Sequence, residues 1–311
     1  MTEVSAQKST TVRFDGIPGV RLARPVFRTL DRVAPRAAAG LATRLWCTPP
    51  RPRAARVTPR VPGGRRSTVL LGDRAVAVET WSPATTGSAD RIVYLVHGWG
   101  GWRGQLDAFV PPLVEAGLRV VSFDALAHGE SSRGAFGRLS TLTEMADTLA
   151  GVVRTVGPAY GVVAHSLGGS ATALAVLDGL RVNRLVLIAP LADPPSYTRE
   201  FAWALGIGEA VRAGIIDRIE RMVGRPAADF DVPSRLPAAH RLPPMLLVHD
   251  RDDKEVRHGD GPGIAAHWPD GELLTTGGLG HRRILRDPYV IGESVAYLRD
   301  GTGQYIGRSP L

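Results

Sequence analysis

Six short strand-like runs recur between residues 92 and 276, most of them followed by a segment of helical character. The runs are Ile92–Val96 (IVYLV), Arg119–Phe123, Tyr160–Ala164, Leu185–Ala189 (LVLIA), Met245–Val248 and Glu272–Thr276. They are mostly continuous in apolar, β-branched residues instead of alternating apolar with polar. Such runs are stable only where helices cover both faces of a sheet, the situation of parallel strands. Helices are expected over Gly104–Ala116, kinked at Pro111-Pro112, over Leu142–Val156 behind a Ser140 or Thr141 cap, over Leu167–Leu177 and over Pro288–Leu298. Alternating strands and helices predict an α/β fold with a doubly wound, mostly parallel sheet. Ser67–Leu71 and Ala75–Trp81 around Gly72-Asp73 predict a preceding hairpin.

Two segments stand outside that alternation. Residues 191–242 separate two strands by about fifty residues and carry helical stretches at Tyr197–Leu205 and Ile207–Val223. A structureless loop of that length is rare in a compact domain, so a helical cap inserted at 191–242 is expected. The α/β core then comprises 67–190 and 243–311. Residues 1–66 form an Arg/Pro-rich extension with one helical patch, Val33–Cys47, stopped by Pro49-Pro50. The extension holds 14 basic groups and 3 acids, a net +11, whereas the remaining chain is at −3. It could make weak contact with an anionic surface. Few aromatics lie among its arginines, so no nucleic-acid partner is expected.

Cys47 is the only cysteine, which excludes an internal disulfide and a cysteine-based zinc cluster. No run of 18 apolar residues occurs, and the first residues lack a secretory apolar stretch. A cytoplasmic protein is the expectation. Arginine used in place of lysine, with abundant Ala, Gly and Pro, suggests a bacterial chain from a high-GC genome.

The stretch Ala164-His165-Ser166-Leu167-Gly168-Gly169 is the most informative for chemistry. A strand ends, a serine follows, and a helix begins at once, with small residues two positions either side of the serine. A sharp, strained turn of this kind projects the Ser166 hydroxyl above the C-terminal edge of the sheet. The plainer alternative is a serine capping a helix. The Leu167 N–H at the helix start can stabilise an oxyanion. Ser166 needs a base, and the base needs an acid to orient it. Asp250, Asp252 and Asp253 follow the Met245–Val248 strand. Asp253 is expected to be the acid, with Asp250 and Asp252 shaping the turn and Asp193 as the rival. His281, in Gly277-Gly278-Leu279-Gly280-His281 after the last strand, is the expected base. His267 lies on the wrong side of the sheet, His240 and His258 are expected at the surface, and His165 is expected to pack beside the elbow. The loop His97-Gly98-Trp99-Gly100-Gly101-Trp102 offers the Trp99 N–H as a second oxyanion donor, with His97 fixing the loop.

In this order these pieces resemble the α/β-hydrolase superfamily, in its serine esterase and lipase-like form. The resemblance covers about residues 68–300. It rests on the 97–101 loop, the 164–169 elbow, the acid segment His249–Val256 and Gly280-His281, and it includes Asp124–Ser131, which is similar to a loop that is structural in the family. It implies that the acid frame falls on Asp253 with Val256, and that the insertion is a cap governing substrate choice. The expected function is hydrolysis of a carboxylic ester through an acyl-enzyme. Trp102, Tyr197, Phe201 and Trp203 are candidates for an apolar acyl pocket, and no cofactor or metal is indicated. Thioester or carbon–carbon hydrolysis, cofactor-free peroxidase-like chemistry and a non-catalytic binding role are the alternatives.

Overall fold

A computed structural model describes residues 20–50, 61–84, 91–239 and 241–300. Its eight strands are β1 (Arg65–Leu71), β2 (Arg74–Trp81), β3 (Ile92–Val96), β4 (Arg119–Phe123), β5 (Ala159–His165), β6 (Val182–Ile188), β7 (Met245–Asp250) and β8 (Gly271–Thr276). They form one sheet in the order β1-β2-β4-β3-β5-β6-β7-β8. The β1–β2 hairpin turns at Gly72, at φ +64°, and β2 joins β4 antiparallel. From β4 through β8 every neighbouring pair is parallel.

The helices are α1 (Val20–Val33), α2 (Pro35–Trp46), α3 (Val110–Glu115), α4 (Leu142–Val156), α5 (Leu167–Leu177), α6 (Thr198–Leu205), α7 (Glu209–Val223), α8 (Val232–Arg235), α9 (Asp260–His267), α10 (Gly280–Arg283) and α11 (Pro288–Asp300). Strand side chains alternate between two cores. Tyr94, Val96, Val121 and Val162 pack with Met145, Leu149 and Leu174 of α4 and α5. Val93, Leu95, Val120 and Val163 pack on the other face with Leu113 of α3 and Val290 and Leu298 of α11. This double burial is why the strands read as unbroken apolar runs.

The expected Gly104–Ala116 helix is instead two pieces, a 3-10 stretch at Arg103–Phe109 and then α3. Pro111 and Pro112 sit at the start of α3, where a missing N–H costs nothing. The α4 cap is Thr141, whose hydroxyl accepts the Glu144 N–H at 3.2 Å.

Residues 20–46 hold two helices where one patch was expected. Pro35 separates them, ending α1 and opening α2. Both pack on α6 and α7, building a separate core from Phe27, Ala38, Ala39, Ala42, Phe201, Leu205, Val211 and Ile215. Alanines let α2 approach α7 closely, so that a Cβ on Gly214 would stand 3.0 Å from that of Ala39. Asp31 of α1 accepts the Gly208 N–H at the start of α7 at 2.8 Å, placing a carboxylate at a helix N-terminus from far along the chain. Trp46 meets Phe201 edge-on, with ring centroids 5.0 Å apart. Phe201 is 2% exposed. Phe201→Ala is expected to cost about 3–5 kcal/mol, read as a lowered urea midpoint, with residues 20–46 becoming the first segment cut by protease.

Candidate active site

Strand β5 leads directly into α5, and Ser166 at the junction has φ 55° and ψ −130°. A non-glycine residue in that region carries strain of order 1–3 kcal/mol. The turn is held from both sides. The Ser166 N–H donates to the Ile188 carbonyl of β6 at 2.9 Å. A Cβ on Gly168 would lie 2.2 Å from the His97 carbonyl oxygen, and one on Gly98 would lie 3.0 Å from the Ser166 Cβ. Only glycine lets the loop after β3 touch the elbow. Leu167 opens α5, so its N–H has no intrahelical acceptor.

His281 Nδ1 lies 2.7 Å from Asp253 Oδ2. A carboxylate can only accept, so Nδ1 carries a proton; in the neutral ring that tautomer presents the Nε2 lone pair. The other Asp253 oxygen accepts the Glu255 and Val256 N–H groups at 2.8 and 2.9 Å. Burial opposes ionisation of Asp253, but His249, His281 and the Val256 N–H hold its carboxyl far below the ordinary range. His165 Nε2 lies 2.9 Å from the His281 carbonyl and donates to it. The two rings are 4.5 Å apart, so His281 is seated beside the elbow. Burial, with His281 nearby, drives the His165 pKa well down and keeps this ring neutral.

Asp250 and Asp252 stitch the acid turn to the histidine loop. Asp250 is fully buried and accepts from Asp252 N–H (2.9 Å), Gly280 N–H (2.9 Å), Leu279 N–H (3.1 Å) and the Thr276 hydroxyl (2.7 Å). Asp252 accepts the Gly278 N–H at 2.8 Å. Gly278 and Gly280 stand at φ +80° and +65°, where β-carbons are disfavoured.

The 97–102 loop is also fixed by side chains. Ala125 donates its N–H to His97 Nε2 at 3.0 Å, so Nδ1 carries the proton and donates to the Gly98 carbonyl at 2.8 Å. Burial pushes His97 down to about 4, consistent with a neutral ring. Gln105 accepts the Gly98 N–H at 2.7 Å and the Gly98 carbonyl accepts the Gly101 N–H, which leaves the Trp99 amide between two committed neighbours. The adjacent loop is built around Asp124, which accepts the Glu130 N–H (2.8 Å), the Arg103 N–H (2.6 Å) and the Arg103 guanidinium. A Cβ on Gly129 would overlap the Asp124 carboxylate at 2.2 Å. His128, pushed down to about 3 by burial, sits neutral against His97 and Trp99.

The model of the serine aminopeptidase S33 family matches residues 87–241. The chain belongs to the α/β-hydrolase superfamily. The fold is shared with a thermophilic esterase from Thermogutta terrifontis, at 21% identity over 76% of this chain and 98% of that one, with a TM-score of 0.54. Est1E from Butyrivibrio proteoclasticus aligns at 15% identity, 76% and 96% coverage and a TM-score of 0.58. A bacterial membrane phospholipase A aligns at 17% identity and a TM-score of 0.57, covering 91% of this chain and 97% of its own. No curated protein matches the sequence.

Other anticipated residues of this α/β-hydrolase sit elsewhere. Tyr197 is buried, and its phenol donates to Asp260 at 2.7 Å and accepts the Arg257 N–H at 3.0 Å, so it ties the cap to the core. Phe201 fills the cap interior. Trp203 faces solvent, 67% exposed, with the Arg24 guanidinium over its ring, because the inner side of α6 is already occupied by Phe201, Ala202 and Leu205. Trp102 lines a charged cleft of about 510 Å³ with Arg66, Glu79, Arg103 and Asp124. None of these four aromatics stands as a simple acyl-pocket wall. Asp193 opens the Pro194–Tyr197 turn, and burial with Asp231 nearby raises its pKa. It is Asp253 that reaches an imidazole. His258 is half-buried, its ring 5.5 Å from that of His249, and not at the surface as expected. His267 bonds its own helix at the Gly263 carbonyl, and His240 lies outside the described residues. Cys47 is buried and its thiol is pushed up to about 12, which leaves no thiolate nucleophile near neutral pH.

His249 escaped the sequence reading. It is fully buried with Nε2 3.5 Å from Asp253 Oδ2, and its position at the end of a buried strand, four residues before the acid, was the available signal.

Two outcomes follow. Gly168→Ala is expected to displace the His97 carbonyl and lower stability by about 1–3 kcal/mol, read by thermal unfolding. Asp253 has a depressed folded pKa, so its contribution to stability is complete above the ordinary carboxylate pKa near 4 and is lost as pH falls below it. Asp253→Asn removes that component, and the acid limb of the urea midpoint plotted against pH is expected to flatten between about pH 4 and 2.

Proposed function

We propose that this α/β-hydrolase cleaves a carboxylic ester by nucleophilic catalysis. Ser166 attacks the acyl carbonyl while His281 Nε2 takes its proton. The alcohol leaves with the proton returned by His281, and water then releases the acid from the acyl-enzyme by the same steps in reverse. Asp253 holds His281 in the Nδ1–H tautomer and stabilises the imidazolium that forms. The Leu167 and Trp99 N–H groups receive the oxyanion, each contributing about 2.7–4 kcal/mol to the transition state by analogy with other such sites.

The single observation that carries this reading is the 2.7 Å His281–Asp253 hydrogen bond, anchored beside the strained serine by His165. The esterases among its structural neighbours favour an ester over other acyl substrates. A fluorophosphonate probe is expected to label the wild-type protein, and Ser166→Ala to abolish that labelling; labelling that persists in the alanine variant sinks the assignment. On p-nitrophenyl esters, Asp253→Asn should lower kcat by about 10⁴, the penalty of the wrong imidazole tautomer. Faster turnover of acyl-CoA or diketone substrates than of any ester would move the reading to thioester or carbon–carbon hydrolysis.

A further inference from the structure

The large apolar side chains left in solvent are not scattered. Among the described residues nine are strongly exposed, and six of them lie on α1, α2 and α6: Leu22 (85%), Val26 (59%), Val33 (72%), Leu41, Leu45 and Trp203 (67%). Leu22, Val26 and Val33 are spaced by four and seven residues, so they form one stripe along α1. Leu41 and Leu45 are one turn apart on α2. The inner sides of these helices are already used, through Phe27, Ala38, Ala39 and Ala42, against α6 and α7. The stripes therefore face outward from the completed cap.

The same helices are strongly basic. Residues 20–46 hold six arginines and one acid, Asp31, whose carboxylate is occupied by the Gly208 N–H. Arg24, Arg28, Arg32, Arg36 and Arg44 are all exposed. An isologous dimer through these helices would bring their exposed arginines towards those of the copy, which charge repulsion disfavours. A bare polyanion would satisfy the arginines but leave the leucine and valine stripes in water. A surface that takes both is an anionic lipid bilayer. Apolar side chains enter the acyl boundary, Trp203 lies at headgroup level, and arginine stems extend along the interface to phosphate. No helix of the described residues is long and apolar enough to cross a membrane, so the mode is surface docking.

We infer that the outer face of α1, α2 and α6 docks this protein on anionic membranes. The docked helices touch the acid side of the candidate active site. Trp46, the last residue of α2, packs on the Tyr197–Val256 pair, and the Val256 N–H holds Asp253. The inference concerns binding and stands apart from the ester reading, because its test needs no turnover.

The test is flotation of the full chain with unilamellar vesicles of phosphatidylcholine alone, or with 30% phosphatidylglycerol, from 0.05 to 0.5 M salt. Wild type is expected to bind the anionic vesicles at least tenfold more tightly than the neutral ones. Replacing Leu22, Val26 and Trp203 together by serine should weaken binding at least tenfold at every salt concentration. Replacing Arg24, Arg28 and Arg32 by glutamine should weaken it about fivefold per arginine, an effect that fades as salt rises. Leu70→Ser, at an exposed site on β1, should change nothing. Circular dichroism and the melting temperature check each triple variant for folding; if one is unfolded, the single variants Leu22→Ser and Arg32→Gln replace it. Equal binding to both vesicle types, binding indifferent to both sets, or a wild-type dimer in light scattering that the serine triple dissociates would overturn the inference.

Discussion

A glycine-rich loop buries almost nothing, so the position of His281 depends, beside its contact with His165, on carboxylate oxygens. Asp250 supplies them. It is buried where an unsolvated charge would be prohibitive, and it is tolerated because three backbone N–H groups and one hydroxyl replace its water. Two of those N–H groups, from Leu279 and Gly280, belong to the histidine loop. Burial opposes the charge on Asp250, yet these donors bring its pKa below the ordinary value. The ionised side chain is thus the strut between β7 and the loop after β8. Asp253, three residues on, is solvated by a different set of donors and spends one oxygen on His281. Neighbouring carboxylates at one strand end divide two tasks, holding the loop and orienting the imidazole.

The serine side of the site rests on the absence of side chains. Gly98 and Gly168 bring the loop after β3 into contact with the elbow. The strain at Ser166 is maintained because its N–H is committed to β6 and the following helix is buried along most of its length. His97, His128 and His165 are all held neutral by burial around this centre. They act as fixed hydrogen-bonding parts, and the charged carboxylate of Asp253 is shared by two other rings, His281 and His249.

Much of this was legible because it is local. Strands buried on both faces are short unbroken apolar runs, and β3 and β4 fall on the residues that pattern picks out. The helix α4 declares itself by its threonine cap, and the elbow by small residues around a serine. What was not legible depends on contacts far apart in sequence. Helix α9, with the sequence DGPGIAAH, has poor intrinsic helicity and exists as the crossover between β7 and β8. Gly261 is a requirement there, because a Cβ would stand 2.5 Å from His249 Nδ1. Helix α1 carries Pro25, and its apolar residues fall into two stripes of which one packs. The pocket aromatics failed for a related reason: a sequence shows that Tyr197, Phe201 and Trp203 are in the cap, not which of them point inward.

The cap itself illustrates why composition alone misleads about the basic N-terminal segment. An arginine-rich stretch reads as a solvated arm, and Arg24, Arg28, Arg32, Arg36 and Arg44 are indeed exposed. Yet alanines 38, 39 and 42 give α2 a side smooth enough to lie against α7, and Phe27 and Trp46 are the large residues that anchor the pair at its two ends. The two helical segments of the cap, far apart in sequence, bury their apolar residues only together. Removing the first would uncover Phe201, Leu205, Val211 and Ile215 of the second. The α1–α2 pair is therefore part of the folded hydrolase, and its arginines are displayed on a packed surface.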